Sequence, residues 1–168
     1  MADFLPAFEK MIVNEGGYVL HTVPGDRGGQ TFAGIARNAW PKWPGWSVID
    51  QGGKPDAETV RRFYRENFWQ PVRGDEINDQ DVARTLFDFA VNAGTRTAVI
   101  LAQTVAAVTP DGKIGPKTIG AINALDPDKF ILAYALAKIA RYRDIVTRDR
   151  SQQKFLLGWI NRTLREAA

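Results

Sequence analysis

From Asp3 onward, apolar residues recur at three- and four-residue spacing in segments that open on a helix starter and close on a stopper. Asp3 can cap D-F-L-P-A-F-E-K-M-I-V-N, where Phe4, Leu5, Phe8, Met11 and Ile12 share a face, Pro6 falls in the first turn, and Gly16-Gly17 follows. Thr31 is expected to cap F-A-G-I-A-R-N-A-W, which halts before Pro41, and residues 41–55 read as a long loop. Asp56 opens a helix that Pro71 ends, and Asp79 opens one through Val82, Leu86, Phe89 and Ala90 to Gly94. Thr95 opens a helix reaching Val108, Pro116 is the first residue of a short one, and Asp126-Pro127 starts a long one to about Thr147. Ser151 is expected to cap the last, which carries Phe155, Trp159 and Ile160. Between the first two helices, Y-V-L-H-T-V-P-G-D-R-G-G-Q-T has room for a short β-hairpin. The spacing predicts a mainly α chain.

The end of the first helix carries an unusual residue. Glu15 follows Phe8 by seven positions and Met11 by four, so it belongs to their apolar face. A carboxylate there is disfavoured by partial burial and by the negative end of the helix dipole. Both raise its pKa. Asp26 lies nearby in a loop with Gly25, Gly28 and Gly29, followed by Gln30 and Thr31; such a loop stays hydrated, and the aspartate is expected to remain ionised. Two carboxylates with pKa values pushed apart suit glycoside hydrolysis, one as the acid for the leaving oxygen, the other as the anion that activates water or stabilises positive charge. Thr31 can hold a water beside Asp26. The competing readings are a turn aspartate and a helix-capping threonine.

Composition removes other chemistries. There are no cysteines and one histidine, His21, so disulfides, thiol catalysis and a histidine-built metal site are not expected, nor is any cofactor. No apolar run approaches the roughly 20 residues that span a bilayer, so stable membrane insertion is not expected. M-A-D-F-L-P lacks the basic start of a secretory signal, which points to synthesis in the cytoplasm. The net charge of +3 is uneven: residues 129–168 hold nine Lys/Arg against three Asp/Glu. That end suits an acidic partner or is a solvated helix face. A basic tail without a recognition motif is weak support for nucleic-acid binding, and none is expected.

N-E-G-G-Y and G-D-R-G-G-Q-T-F-A-G-I resemble the opening of the lysozyme-like muramidases of glycoside hydrolase family 108, found in phage endolysins and bacterial genomes. F-Y-R-E-N-F-W-Q-P, L-F-D-F-A-V-N-A-G, D-G-K-I-G-P-K-T and K-F-L-L-G-W-I-N-R continue the resemblance over almost the whole chain. The resemblance implies a lysozyme-like helical fold with at most a small hairpin near the active site. It implies one compact domain, with a catalytic lobe over 1–88 and a helical, peptidoglycan-binding C-terminal lobe over 89–168. The implied reaction is cleavage of the β-1,4 bond between N-acetylmuramic acid and N-acetylglucosamine in peptidoglycan. The family's catalytic glutamate falls on Glu15, and likeness to phage-type lysozymes assigns Asp26 and Thr31 to the attacking water. One departure stands out: the family's Asp-Pro-Gly-Gly is here Asp26-Arg27-Gly28-Gly29, a loop less constrained in φ.

Tyr18, Gln30, Tyr64 and Asn92 complete the expected substrate-binding set. Tyr18 either stacks on a sugar or is a hairpin aromatic; Tyr64, with Phe68, is subsite or core; Asn92 bonds an N-acetyl group or caps its helix. Trp40, Trp43 and Trp46 either wall a groove or pin their loop. Peptidoglycan strands are the expected partner, reached after release by a holin, an export channel or lysis, so that the enzyme works at the cell wall. Cleavage of chitin-like polymers and non-catalytic wall binding are the alternatives.

Overall fold

The computed structural model of the protein describes residues 1–14, 16–22 and 29–167, with Asn14 described by its backbone only. Among these residues are eight α-helices and one antiparallel sheet of strand order β1-β2-β3. Helix α1 (Phe4–Asn14) starts where the Asp3 carboxylate accepts the Leu5 N–H at 3.1 Å. Phe4, Phe8, Met11 and Ile12 are buried, whereas Leu5 stays 47% exposed, so the buried stripe is narrower than the spacing predicts. Gly16 and Gly17, at φ 85° and 73°, close the helix by donating to Val13 O and Ile12 O, the paired bonds of a Schellman ending.

Strands β1 (Leu20–Thr22), β2 (Gln30–Phe32) and β3 (Ile35–Ala36) follow. The hairpin is present, but a third strand replaces the helix expected after Thr31. Ala33 and Gly34 both have positive φ, 50° and 79°, and link the paired residues Phe32 and Ile35. This is the two-residue turn whose twist matches that of the strands. Burial of Phe32 and Ile35 anchors it. Thr31 is therefore a strand residue and caps nothing.

The loop expected over 41–55 holds a short helix, α2 (Gly45–Asp50). Trp43 and Trp46 are buried and meet edge to face at 5.1 Å, and Trp46 Nε1 donates to Trp40 O at 2.9 Å. Arg37 grips both Asp50 carboxylate oxygens at 2.8 and 2.6 Å and donates to Gln30 Oε1 at 2.7 Å, tying the sheet to α2. Helix α3 (Ala57–Tyr64) begins with the Asp56 carboxylate on Thr59 N and runs into a π-helical turn, Arg65–Trp69. Trp69 is fully buried, and any side chain at Gly74 would overlap its ring.

Helix α4 (Gln80–Ala93) is the centre of the molecule. It is buried on nearly every side, with Val82, Ala83, Leu86, Phe87, Phe89 and Ala90 joined by the polar Thr85 and Asp88, because α1, α5 (Thr95–Val105) and α7 (Pro127–Arg148) surround it. Phe4, Trp69 and Phe87 form an aromatic triangle with centroids 5.6–5.9 Å apart. Helix α5 stops three residues short of the expected Val108. Helix α6 (Pro116–Asn123) has its proline where expected. Before α8 (Gln153–Ala167) a 3-10 turn intervenes, and Asp149 rather than Ser151 provides the cap, its carboxylate accepting the Ser151 N–H at 3.0 Å. No helix among the described residues is long and apolar enough to cross a membrane.

Candidate active site

A cleft of about 230 Å³ opens where four separated segments meet. Gly34 of the hairpin turn, Tyr64 and Phe68 of the α3–π junction, Asn92 near the end of α4, and Arg162 of α8 line it, with Trp40 at one side. The π-helical turn matters here, because its extra residue per turn shifts Phe68 around the helix axis relative to Tyr64. The two rings lie 5.8 Å apart.

Glu15 and Asp26, the expected acid and its partner, lie outside the described residues. The described neighbours of Glu15 are the end of α1 and the Gly16-Gly17 closure. Thr31 sits in the middle strand, directly opposite His21 on one side and Ala36 on the other. Gln30 is the adjacent residue, so the two project to opposite faces of the sheet. Gln30 is occupied by Arg37. Tyr18 is half-buried and packs on the core. Tyr64 is 1% exposed and donates its hydroxyl to Ala33 O at 2.7 Å, so it shapes the cleft floor and braces the hairpin turn from below. Asn92 is exposed in the cleft, and among the described residues its side chain forms no cap; Gly94 N bonds Ala90 O instead. The cleft thus brings Tyr64 and Asn92 together and does not include Tyr18, Gln30 or Thr31. Of the three tryptophans, Trp40 is 36% exposed and walls the cleft, while Trp43 and Trp46 pin their loop.

Sequence reading missed what lies behind Arg162. Its guanidinium bonds both Asp88 carboxylate oxygens, at 3.1 and 3.0 Å, and Glu166 Oε1 at 3.1 Å. Lys138 Nζ donates to Glu166 Oε2 and, at 3.2 Å, to Thr85 Oγ1. It also lies about 5 Å from the ring centres of Phe89 and Tyr134. The side chains of Asp88 and Lys138 are only 4% and 2% exposed. Burial, and then Glu166, push Asp88 up to about 7 against the pull of Arg162. Burial also raises Glu166, but Asp88, Lys138 and Arg162 together hold it below the ordinary carboxylate range. Burial lowers Lys138, with Glu166 opposing. Asp88 between two phenylalanines was the available signal, as was Lys138 one turn from both Tyr134 and Tyr142 on the buried face of α7.

Similarity to known proteins gives this arrangement a class. Residues 8–94 match the glycosyl hydrolase 108 family, and residues 95–164 match the predicted peptidoglycan domain. The chain belongs to glycosyl hydrolase family 108 and is a glycoside hydrolase acting on peptidoglycan. It is similar to a solved structure from Brucella abortus, SagA, at 29% identity and a TM-score of 0.75, over 98% of this chain and 91% of that one. No curated protein matches it. The two family segments meet at Gly94–Thr95, at the end of α4. Asp88 belongs to the first segment and Lys138 and Arg162 to the second, with Glu166 just beyond it, so the buried ionic cluster joins the two. Among the described residues no group of three or more His, Cys, Asp or Glu is placed to hold a metal ion.

Proposed function

We propose that the protein is an N-acetylmuramidase, hydrolysing the β-1,4 bond between N-acetylmuramic acid and N-acetylglucosamine. Membership of family 108 over residues 8–94, with the N-E-G-G-Y stretch at the end of α1, carries this reading. Glu15 protonates the leaving oxygen, and Asp26 with Thr31 positions the attacking water. The likeness to phage lysozymes favours inversion, which requires carboxyl groups about 6.5–9.5 Å apart. Asn92 hydrogen-bonds an N-acetyl group, and the ring of Tyr64 forms part of the floor beneath the sugar. Tyr18 and Gln30 contact the strand further along.

The C-terminal half, expected over 89–168, holds the wall while the catalytic lobe cuts. Its basic end supports that role. Of Arg141, Arg143, Arg148 and Arg150, only Arg143 forms an ion pair among the described residues, with Asp144 at 2.8 Å. In the cell the enzyme is an endolysin, made in the cytoplasm and released by a holin or export channel to lyse the host. The experiment is digestion of purified sacculi followed by mass spectrometry of the products. Muramic acid at the new reducing ends supports the reading. N-acetylglucosamine at those ends, or anhydromuramic acid, overturns it.

A further inference from the structure

Beside the cleft runs a second groove of about 390 Å³, which shares Trp40 and Phe63 with it as a common wall. The two rings meet edge to face at 4.9 Å, and Trp40 lines both depressions. Trp43 and the prolines at 41 and 44 complete a mainly apolar trough between the α2 loop and α3. Lys42 and Arg62 stand exposed on its rim; neither forms a salt bridge or side-chain hydrogen bond among the described residues, and Arg62 acts on the Asp56 carboxylate only through its field. Among the described residues Glu66 is the single acidic one lining the trough, so against Lys42 and Arg62 the lining carries a net charge of +1.

We propose that this groove binds the acidic peptide stem of the peptidoglycan strand whose glycan lies in the cleft, an inference that rests on the peptidoglycan reading above. A bare sugar ring offers no charge for the two exposed cations to meet. A stem peptide offers carboxylates to Lys42 and Arg62 and small methyl-bearing side chains to the tryptophan and proline walls. The stem branches from the lactyl group of muramic acid, so it must leave the glycan sideways. The groove that shares a wall with the cleft lies in the path of such a branch. Cleft and groove together read a glycan strand that still carries its peptides.

The test uses the full-length protein and the double variant Lys42→Gln/Arg62→Gln, with circular dichroism confirming the fold. A synthetic acidic stem peptide is titrated against the change in tryptophan fluorescence, to which Trp40 and Trp43 in the groove contribute, and a neutral N-acetylglucosamine oligomer is titrated in parallel. The peptide is expected to bind the wild type, to weaken with salt, and to bind the variant about three- to tenfold more weakly, the scale of two exposed charge contacts. The KM for stem-bearing peptidoglycan should rise by a similar factor, without a matching rise for glycan stripped by an amidase. Equal peptide affinity in the two proteins, or an equal KM change on both substrates, overturns the proposal. A wild type that cleaves neither substrate would defeat the hydrolase reading, while the peptide titration would still decide the groove.

Discussion

Lys138→Met probes the buried cluster most directly, because it keeps the volume of the side chain and removes the charge. In the folded chain Lys138 neutralises Glu166 from one side while Arg162 serves Glu166 and Asp88 from the other. Without Lys138, two buried carboxylates share one guanidinium, and Thr85 Oγ1 loses its donor. Removing one partner from a buried ion pair typically costs about 3–5 kcal/mol. For a chain of this length that corresponds to a fall in Tm of roughly 6–20 °C. The loss should depend on pH with a definite sign. Asp88 sits at about 7 in the folded chain against an ordinary 3.8, so its contribution to stability declines as pH rises between those values. Glu166 is held low and contributes oppositely, with stability present above its ordinary value and lost in acid. Deleting Lys138 removes one of the groups that hold Glu166 down. The variant's carboxylate pair then keeps its proton to higher pH, and the deficit against wild type grows from pH 5 to pH 8. Calorimetry or urea unfolding at both values measures it. Adding Glu166→Gln to the variant should recover part of the loss, since the partner charge is then gone too. A deficit below about 1 kcal/mol, the range of exposed pairs, or one identical at both pH values, would refute the reasoning.

Three further outcomes are expected. Gly74→Ala should destabilise by about 1–3 kcal/mol in urea unfolding, because the added methyl overlaps the buried Trp69 ring. Asp26→Asn should lower turnover on peptidoglycan while wall pelleting stays near wild type, and wild-type turnover would reduce Asp26 to a loop residue. Neutralising Arg148, Arg150 and Lys154 together should leave the Tm within a few degrees and weaken wall pelleting at low salt, where the Debye length is longest. Pelleting equal to wild type would make the basic end a solvated face.

The helices whose caps are side chains are legible in the amino-acid sequence itself. Asp56, Asp79 and Asp126 each accept a backbone N–H from the first turn of the helix they open, and Pro116 and Pro127 sit in first turns. Where the fold departs from local pattern, other forces decide. Thr31 has the chemistry of a cap, yet the Ala33-Gly34 turn and the burial of Phe32 and Ile35 draw it into a strand. Helix α2 begins after Pro44 with no side-chain cap, so local chemistry does not announce it. The cleft is half legible. Tyr64 and Asn92 meet there, but Arg162 arrives from 70 residues further along the chain, through tertiary packing that no local pattern records. The ionic cluster behind it is hidden for the same reason, since each member alone looks like a stray charge on an apolar helix.

Glu15→Gln tests the central claim. The amide keeps the shape of the side chain and cannot donate the proton that the leaving oxygen requires. The measurement is kcat for release of reducing ends from purified peptidoglycan, with thermal melting run on the same samples. A folded variant whose kcat falls by about 10²–10⁴-fold, the usual contribution of a general acid, is the predicted result. A folded variant that retains substantial muramidase turnover would contradict it and remove Glu15 from the acid role.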